Sequence, residues 1–173
     1  MMNNKTIITD ASGMKANEKA SGLTAYRLME NAGAALAHAM MAEIPAGSKV
    51  CILAGCGNNG GDGFVVARLL QKQYKTAVIL VDGMPKTKEA LRNYKKLDPA
   101  VIADQKNWKR KLEQADVIID AVYGFSYHGA LKPETAVLFD RINDLNKKVL
   151  SVDINSGCEA DTGHCDPHAL HAS

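Results

Sequence analysis

The apolar run Val50-Cys51-Ile52-Leu53 passes directly into Ala54-Gly55-Cys56-Gly57-Asn58-Asn59-Gly60-Gly61-Asp62-Gly63, and a helical pattern from Phe64 to Leu70 follows. Few folds accept that succession. An apolar run without alternation suits a strand buried on both faces of a parallel sheet. Glycines let the backbone turn at φ > 0 and approach a ligand closely. The start of a helix then offers unpaired N–H groups and a partial positive charge to an anion. The order predicts an α/β domain with a phosphate or pyrophosphate site at the end of its first core strand.

The flanking sequence supplies the rest of such a domain. Thr9 to Lys19 reads as a short helix capped from Thr9-Asp10-Ala11-Ser12. Thr24 caps a longer helix to about Ala42, with Leu28, Ala32, Ala35, Leu36 and Ala39 at helical spacing. Lys49 to Ala54 is the first core strand, and the helix after the glycine loop reaches about Lys72. Further strands are expected at Thr76–Val81, Val101–Ile102, Asp116–Val122 and Val149–Ile154. Helices are expected at Lys86–Lys96, Trp108–Gln114 and Pro133–Leu145. The alternation predicts an α/β, doubly wound, mainly parallel sheet. Ligands in that architecture sit outside the carboxyl ends of the strands. The loops after Leu53, Val122 and Val152 are rich in Gly, Asn, Asp and Ser, so three strand ends are expected to share one cleft.

Composition narrows the function classes. The 173 residues suit one domain with its own core. A net charge of +2, from 21 basic and 19 acidic residues, is too balanced for a nucleic-acid binder or a membrane-surface protein. No apolar run approaches the roughly 20 residues of a membrane span, and the first residues carry no signal-peptide pattern. Cys51, Cys56, Cys158 and Cys165 form no C-x-x-C pair, which favours free thiols and a reducing cytoplasm.

Several residues can carry chemistry, each with a plainer alternative. Gly55, Gly57 and Gly60 match G-x-G-x-x-G, and Asp82 lies near the position of a ribose-binding acid, as in a nicotinamide dehydrogenase. The same glycines would also serve close helix–strand packing. Asn58, Asn59 and Asp62 are surplus to a tight turn. Asn amides can bind a polar ligand or a cation through oxygen, whereas Asp62 can also act as an N-cap or dipole partner. Asp120 ends a strand, as a ligand or as a turn cap. Asp153 follows an apolar run, where partial burial would raise its pKa toward neutrality and suit it to acid/base work. Its plainer role is an Asx-turn holding Ser156-Gly157. His128 is a proton shuttle or a solvated loop residue. His164, Cys165, His168 and His171 match no zinc spacing.

Four blocks, in order, resemble the NAD(P)H-hydrate epimerases: Leu28-Met29-Glu30-Asn31-Ala32-Gly33, Gly55 through Gly63, Asp120-Ala121-Val122-Tyr123-Gly124-Phe125-Ser126 and Asp153-Ile154-Asn155-Ser156-Gly157. The resemblance implies a three-layer, Rossmann-like α/β/α fold in one domain over 1–173. Its parts would be an N-terminal helical segment (1–23), a matching core (24–163) and a truncated tail (164–173), because relatives continue past Ala169-Leu170-His171 with further strands. It implies interconversion of the R and S forms of hydrated NADH or NADPH (NADHX, NADPHX). It assigns substrate contacts to Asn58, Asn59, Gly60, Gly61, Asp62, Gly124, Phe125, Ser126, Tyr127, His128, Gly129, Ala130 and Asp153. It assigns one potassium ion per subunit to Asn59, Asp120 and Ser156, with oxygen ligands that suit a hard cation. No organic cofactor is implied, since the hydrated nucleotide is the substrate. The implied pathway partner is an ADP- or ATP-dependent NAD(P)HX dehydratase, and relatives often form homodimers. Epimerisation at C6 of the nicotinamide ring requires a proton to move on and off an oxygen or nitrogen, which points to Asp153 and then Asp62 as the catalytic acid/base. Two other functions stand beside it: a non-catalytic binding module on the same scaffold, and an NAD-dependent dehydrogenase.

Overall fold

The structure is a computed structural model that describes residues 22–104 and 106–172. The helix expected between Thr9 and Lys19 lies outside these residues. Helix α1 (Ala25–Glu43) starts where Thr24 Oγ1 accepts the Arg27 N–H, and its last carbonyls meet Ile44 just before Pro45. It is followed by β1 (Lys49–Ala54), α2 (Asn58–Leu70), β2 (Lys75–Leu80) and α3 (Lys88–Tyr94). A 3-10 turn (Pro99–Val101), α4 (Trp108–Glu113), β3 (Val117–Ala121), α5 (Pro133–Asp144) and β4 (Lys148–Ser151) complete the order.

The described strands form one parallel sheet in the order β2-β1-β3-β4. Alternate residues along each strand serve opposite layers, because successive side chains leave opposite faces. Val50, Ile52 and Ala54 join Val78, Ile119 and Ala121 beneath α1, α2 and α3. Cys51 and Leu53 join Ile79, Ile118 and Val149 beneath Leu112 of α4 and Phe139 and Ile142 of α5. The fold is therefore a three-layer α/β/α, Rossmann-like sandwich. Phe64 and Phe139 anchor its two cores and are fully buried, worth about 1.5–3 kcal/mol each in area terms. No described helix is long and apolar enough to cross a membrane.

Four expectations change. Val101–Ile102 is not a strand: Val101 ends the 3-10 turn, and only Ile102 bridges to Val78. The helix after the glycine loop begins at Asn58, a turn and a half earlier than its apolar pattern. The last strand ends at Ser151, not Ile154. Cys158 and Cys165 are not free thiols but a disulfide closing a short antiparallel hairpin, while Cys51 and Cys56 are free. Cysteine usage therefore no longer argues for a reducing compartment.

Helix α2 lies unusually close to the sheet because glycine faces it. A Cβ on Gly63 would stand 2.6 Å from the Ala121 Cβ on β3, and one on Gly60 would stand 1.9 Å from the Gly55 carbonyl oxygen. Gly33 plays the same part between α1 and Val65. Glu30 ties α1 to α2 by accepting from Arg68 at 2.6 Å and also from Tyr26 and Lys96. Burial would raise its carboxyl, but these donors outweigh that and hold it at about 2. Gly63→Ala is expected to lower stability by up to about 2 kcal/mol. Overpacking costs about 1–3 kcal/mol against a helix-propensity gain near 1 kcal/mol. The check is a urea midpoint that falls at unchanged m-value; an unshifted midpoint would refute the close contact.

Candidate active site

Between β1 and β3 the strand order reverses, since β2 lies to one side of β1 and β3 and β4 to the other. In open α/β sheets a ligand crevice opens at that reversal, outside the strand ends. A cleft of about 450 Å³ is found there. It is lined by Asn58, Asn59 and Asp62 after β1, by residues 122–127 after β3, and by Asp153 after β4. A roomier groove of about 740 Å³ runs between α4 and α5 past Trp108 and Val137. It lies away from the strand ends and gathers none of the converging backbone donors described next, so the smaller cleft is the site.

The first wall is the start of α2. Its N-cap is Gly57, which has no side chain to bond the helix, and the first turn closes only with Gly61 N–H to the Gly57 carbonyl at 3.2 Å. The N–H groups of Asn58, Asn59 and Gly60 thus have no partner within the helix. Asp62 sits a turn inside α2 and lines the cleft, so it is not the N-cap. Gly60 and Gly61 turn away from the cleft: Gly60 packs under the Gly55 carbonyl and Gly61 against Met29 and Ala90.

Asp120 joins the second and third walls. It is fully buried at the end of β3. Its carboxylate accepts the Val122 N–H at 3.2 Å, the Ser156 N–H at 2.8 Å, the Ser156 hydroxyl at 2.5 Å and the Ser151 hydroxyl at 3.3 Å. Burial pushes this carboxyl up, and the Ser156 and Val122 donors resist the push. The turn-capping role is real, but it spans two turns, one of them in another strand's loop. Tyr123 then carries the network to α2. Its N–H donates to Ser156 Oγ at 2.8 Å, and its carbonyl accepts from Asn59 Nδ2 at 2.9 Å and from Ser156 Oγ at 3.2 Å. Oxygens of Asn59, Tyr123, Ser156 and Asp120 are thereby held within one hydrogen-bonded cluster.

Asp153 adopts a left-handed conformation with φ 72°, which aspartate tolerates better than most residues. Its side chain is exposed, so the expected partial burial is absent. Nor does it hold an Asx-turn at Ser156: its Oδ2 accepts the Phe125 N–H at 2.7 Å. A Cβ at Gly124 would stand 2.7 Å from Asp153 Oδ2 and 3.2 Å from Asn59 Oδ1. Glycine there keeps a gap open between two polar groups.

The 124–131 loop is clasped twice more from the hairpin beyond β4. Glu159 Oε1 accepts the Gly129 N–H at 3.1 Å, and Asp166 Oδ2 accepts the Leu131 N–H at 3.0 Å. The backbone bond from Gly129, then Thr162, lowers the Glu159 carboxyl. The Leu131 and His168 N–H groups lower that of Asp166. His128, Gly129 and Ala130 are exposed and lie beyond the cleft lining. His168 meets Asp140 at 2.8 Å, away from this site.

Asp82 does not act as a free ribose acid. It accepts from the Tyr123 hydroxyl at 2.6 Å, from Lys132 at 3.2 Å and from Thr135 at 3.3 Å. Burial would raise its carboxyl, but these partners outweigh that and lower it. Tyr123 and Thr87, which also line the cleft, were not expected. Thr87 falls inside the helix expected from Lys86, whereas in the structure it caps α3. Tyr123 contributes through its backbone, which leaves no trace in residue type.

The family model described as YjeF-related protein N-terminus matches residues 25–173. The NAD(P)H-hydrate epimerase of Limosilactobacillus fermentum is 32% identical over 153 residues, covering 82% of this chain and 69% of that protein. That of Entamoeba histolytica is 32% identical over 166 residues, covering 91% and 72%. The bifunctional NAD(P)H-hydrate repair enzyme Nnr of Archaeoglobus fulgidus is 36% identical over 142 residues, covering 82% of this chain and 30% of that enzyme. The crystal structure of yeast YNL200c superposes with a TM-score of 0.81 at 25% identity, over 96% of this chain and 78% of the yeast chain. The chain thus spans about a third of the bifunctional relatives and roughly 70% of the single-function ones. With its sheet, glycine loop and strand-end cleft in agreement, the chain belongs to the YjeF-related N-terminal family, in which the NAD(P)H-hydrate epimerases are its relatives.

Proposed function

We propose that the cleft binds hydrated NADH or NADPH and interconverts its R and S epimers. One observation carries this reading: an uncapped helix start, an oxygen cluster and an exposed carboxylate converge on one cleft at the sheet's reversal point. The unpartnered N–H groups at Asn58 and Asn59 suit a pyrophosphate. The names of the matched relatives, which cover most of this chain, point the same way.

The oxygen cluster fits a potassium ion. Asn59 amide oxygen, Tyr123 carbonyl, Ser156 hydroxyl and Asp120 carboxylate are all hard donors, and the space kept open at Gly124 adjoins Asn59 Oδ1. Bound there, a monovalent cation would supply the countercharge that buried Asp120 otherwise finds only in hydrogen bonds.

Epimerisation transfers no electrons to or from the substrate. In a ring-opening route, the C6 hydroxyl gives its proton to a carboxylate as the C6–N1 bond breaks. The nitrogen keeps the electron pair and takes up a proton. The resulting aldehyde rotates, and closure on the other face restores both bonds and protons. In the alternative route the hydroxyl leaves and returns. Asp153 is assigned the proton transfer in either case, with Asp62 second. The Phe125 N–H orients the Asp153 carboxylate without removing its outer lone pairs. The released epimer would pass to an ADP- or ATP-dependent NAD(P)HX dehydratase.

Three outcomes test this reading. One purified NADHX epimer, incubated with the chain and followed by chromatography, is expected to equilibrate faster with potassium than without it. No acceleration by a folded sample would favour a non-catalytic binding module. Asp153→Asn, which keeps an acceptor for Phe125, is expected to lower kcat by about 10²–10⁴-fold, the usual worth of a general acid/base; turnover near wild type would remove the assignment. The clasp on the 124–131 loop depends on Glu159 and Asp166, whose folded pKa values are lowered. Their contribution is complete above the unfolded values, about 4.3 for Glu and 3.9 for Asp, and is lost as pH falls through the lower folded values. Gly129 and Leu131 amide resonances should therefore titrate below those ordinary values, and midpoints at or above them would contradict the clasp.

A further inference from the structure

Asp82 takes no part in the chemistry above, yet it is one of the most heavily bonded carboxylates outside the cleft. It lies two residues past β2 in a left-handed conformation with φ 65°, followed by Gly83 at φ 88°. Its side chain is only 10% exposed. Oδ2 accepts from the Tyr123 hydroxyl and from Lys132, and Oδ1 accepts from Thr135. The Tyr123 ring is fixed on its remaining sides, stacked on Tyr127 with centroids 5.0 Å apart and edge-on to Phe139 at 6.4 Å. The same residue offers its main chain to Asn59 and Ser156.

Tyr123 is thus clamped at both ends for different purposes. The groups holding its backbone, Asn59 in the first turn of α2 and Ser156 in the loop after β4, are themselves members of the oxygen cluster. Asp82 lies two residues past β2, outside that cluster, and reaches it only through the phenol. We propose that Asp82 and the Tyr123 hydroxyl are a positioning pair: together they set the place of the Tyr123 carbonyl and, through it, the orientation of the Asn59 amide and the cation affinity of the cluster. The last part rests on the potassium reading above.

Three variants of the full chain separate this role from simple stability. Tyr123→Phe keeps both ring contacts and drops only the hydroxyl. Asp82→Ala removes the anchor. Ile142→Val trims the core beneath α5, where Ile142 is buried in the cluster on which Tyr123 packs but makes none of the network's side-chain hydrogen bonds. The first readout is NMR of the Asn59 side-chain amide and the Tyr123 backbone amide in the absence of added potassium. Both are expected to shift and exchange faster in Tyr123→Phe and Asp82→Ala, and to keep their wild-type values in Ile142→Val. The second is the potassium concentration giving half-maximal thermal stabilisation. It should rise about tenfold in the first two variants, in line with loss of one charge-assisted hydrogen bond from a coupled network. It should not move in Ile142→Val, although its melting temperature falls. In the epimerisation assay of Asp82→Ala the potassium requirement should rise while kcat at saturating potassium stays near wild type. Wild-type Asn59 and Tyr123 resonances in Tyr123→Phe would overturn the positioning role. Altered resonances in a protein whose wild-type form shows no response to potassium would uphold that role and bring down the cation reading instead.

Discussion

A buried carboxylate governs the active end of this sheet. Asp120 has no contact with solvent, and removing such a charge from water costs several kcal/mol even after the protein relaxes. Its four donors offset that cost, at about 1.5–3 kcal/mol for each hydrogen bond to a charged group. Two come from Ser156 and one from Ser151, so the charge is tolerable only when β3 and β4 and the loops that follow them are in register. The carboxylate therefore acts less as a local cap than as a condition on assembly. If the turn after β4 is misplaced, an unpaired charge remains in the core. Everything that lines the cleft from β3 onward inherits its position from that condition.

From there the network spreads outward with falling burial. Ser156 passes it to the Tyr123 backbone, Tyr123 passes it to Asn59 at the start of α2, and the phenol returns it to β2 through Asp82. The outer members are the exposed Asp153 and the partly exposed Glu159 and Asp166, and each takes a peptide N–H of the covering loop. Buried bonds fix where the strand ends stand, and the exposed ones set how the covering loop lies across them. Two strand ends, at Asp82 and Asp153, use left-handed aspartates to make the turn. Such conformations persist where surrounding bonds over-determine them, and both side chains are held from another loop.

Much of this was legible from residue order. Unbroken apolar runs such as Val50–Leu53 marked buried parallel strands, and the loops after β1, β3 and β4 were read as sharing a cleft, which they do. The misreadings have local causes. Asn58 to Gly63 has poor intrinsic helix propensity, and a propensity reading starts the helix at Phe64. Close contact of Gly60 and Gly63 with the sheet end favours the earlier start. Val101–Ile102 is β-branched and apolar, yet Asp98 and Pro99 set a 3-10 turn that leaves one bridging residue. Asp82 lies where a ribose acid would, and nothing in the sequence shows that Tyr123, 41 positions later, takes its carboxylate. The Cys158–Cys165 pairing depends on a hairpin whose residues carry no strand pattern.

At Phe125, Gly129 and Leu131 the loop beside the cleft is held by carboxylates that bond its main-chain N–H groups. Every residue type except proline carries that group. That part of the hold is indifferent to side-chain type, whereas Tyr127, stacked on Tyr123, and Leu131, packed on the core, hold through their side chains. Ser126, exposed in the cleft lining, can therefore change in sequence, and with it the fit to a ligand, without loosening these bonds, so long as none of the three gripped positions becomes proline. Attachment and specificity are separated within a single short segment. A lineage could retune what the cleft prefers while the carboxylates that secure it stay unchanged.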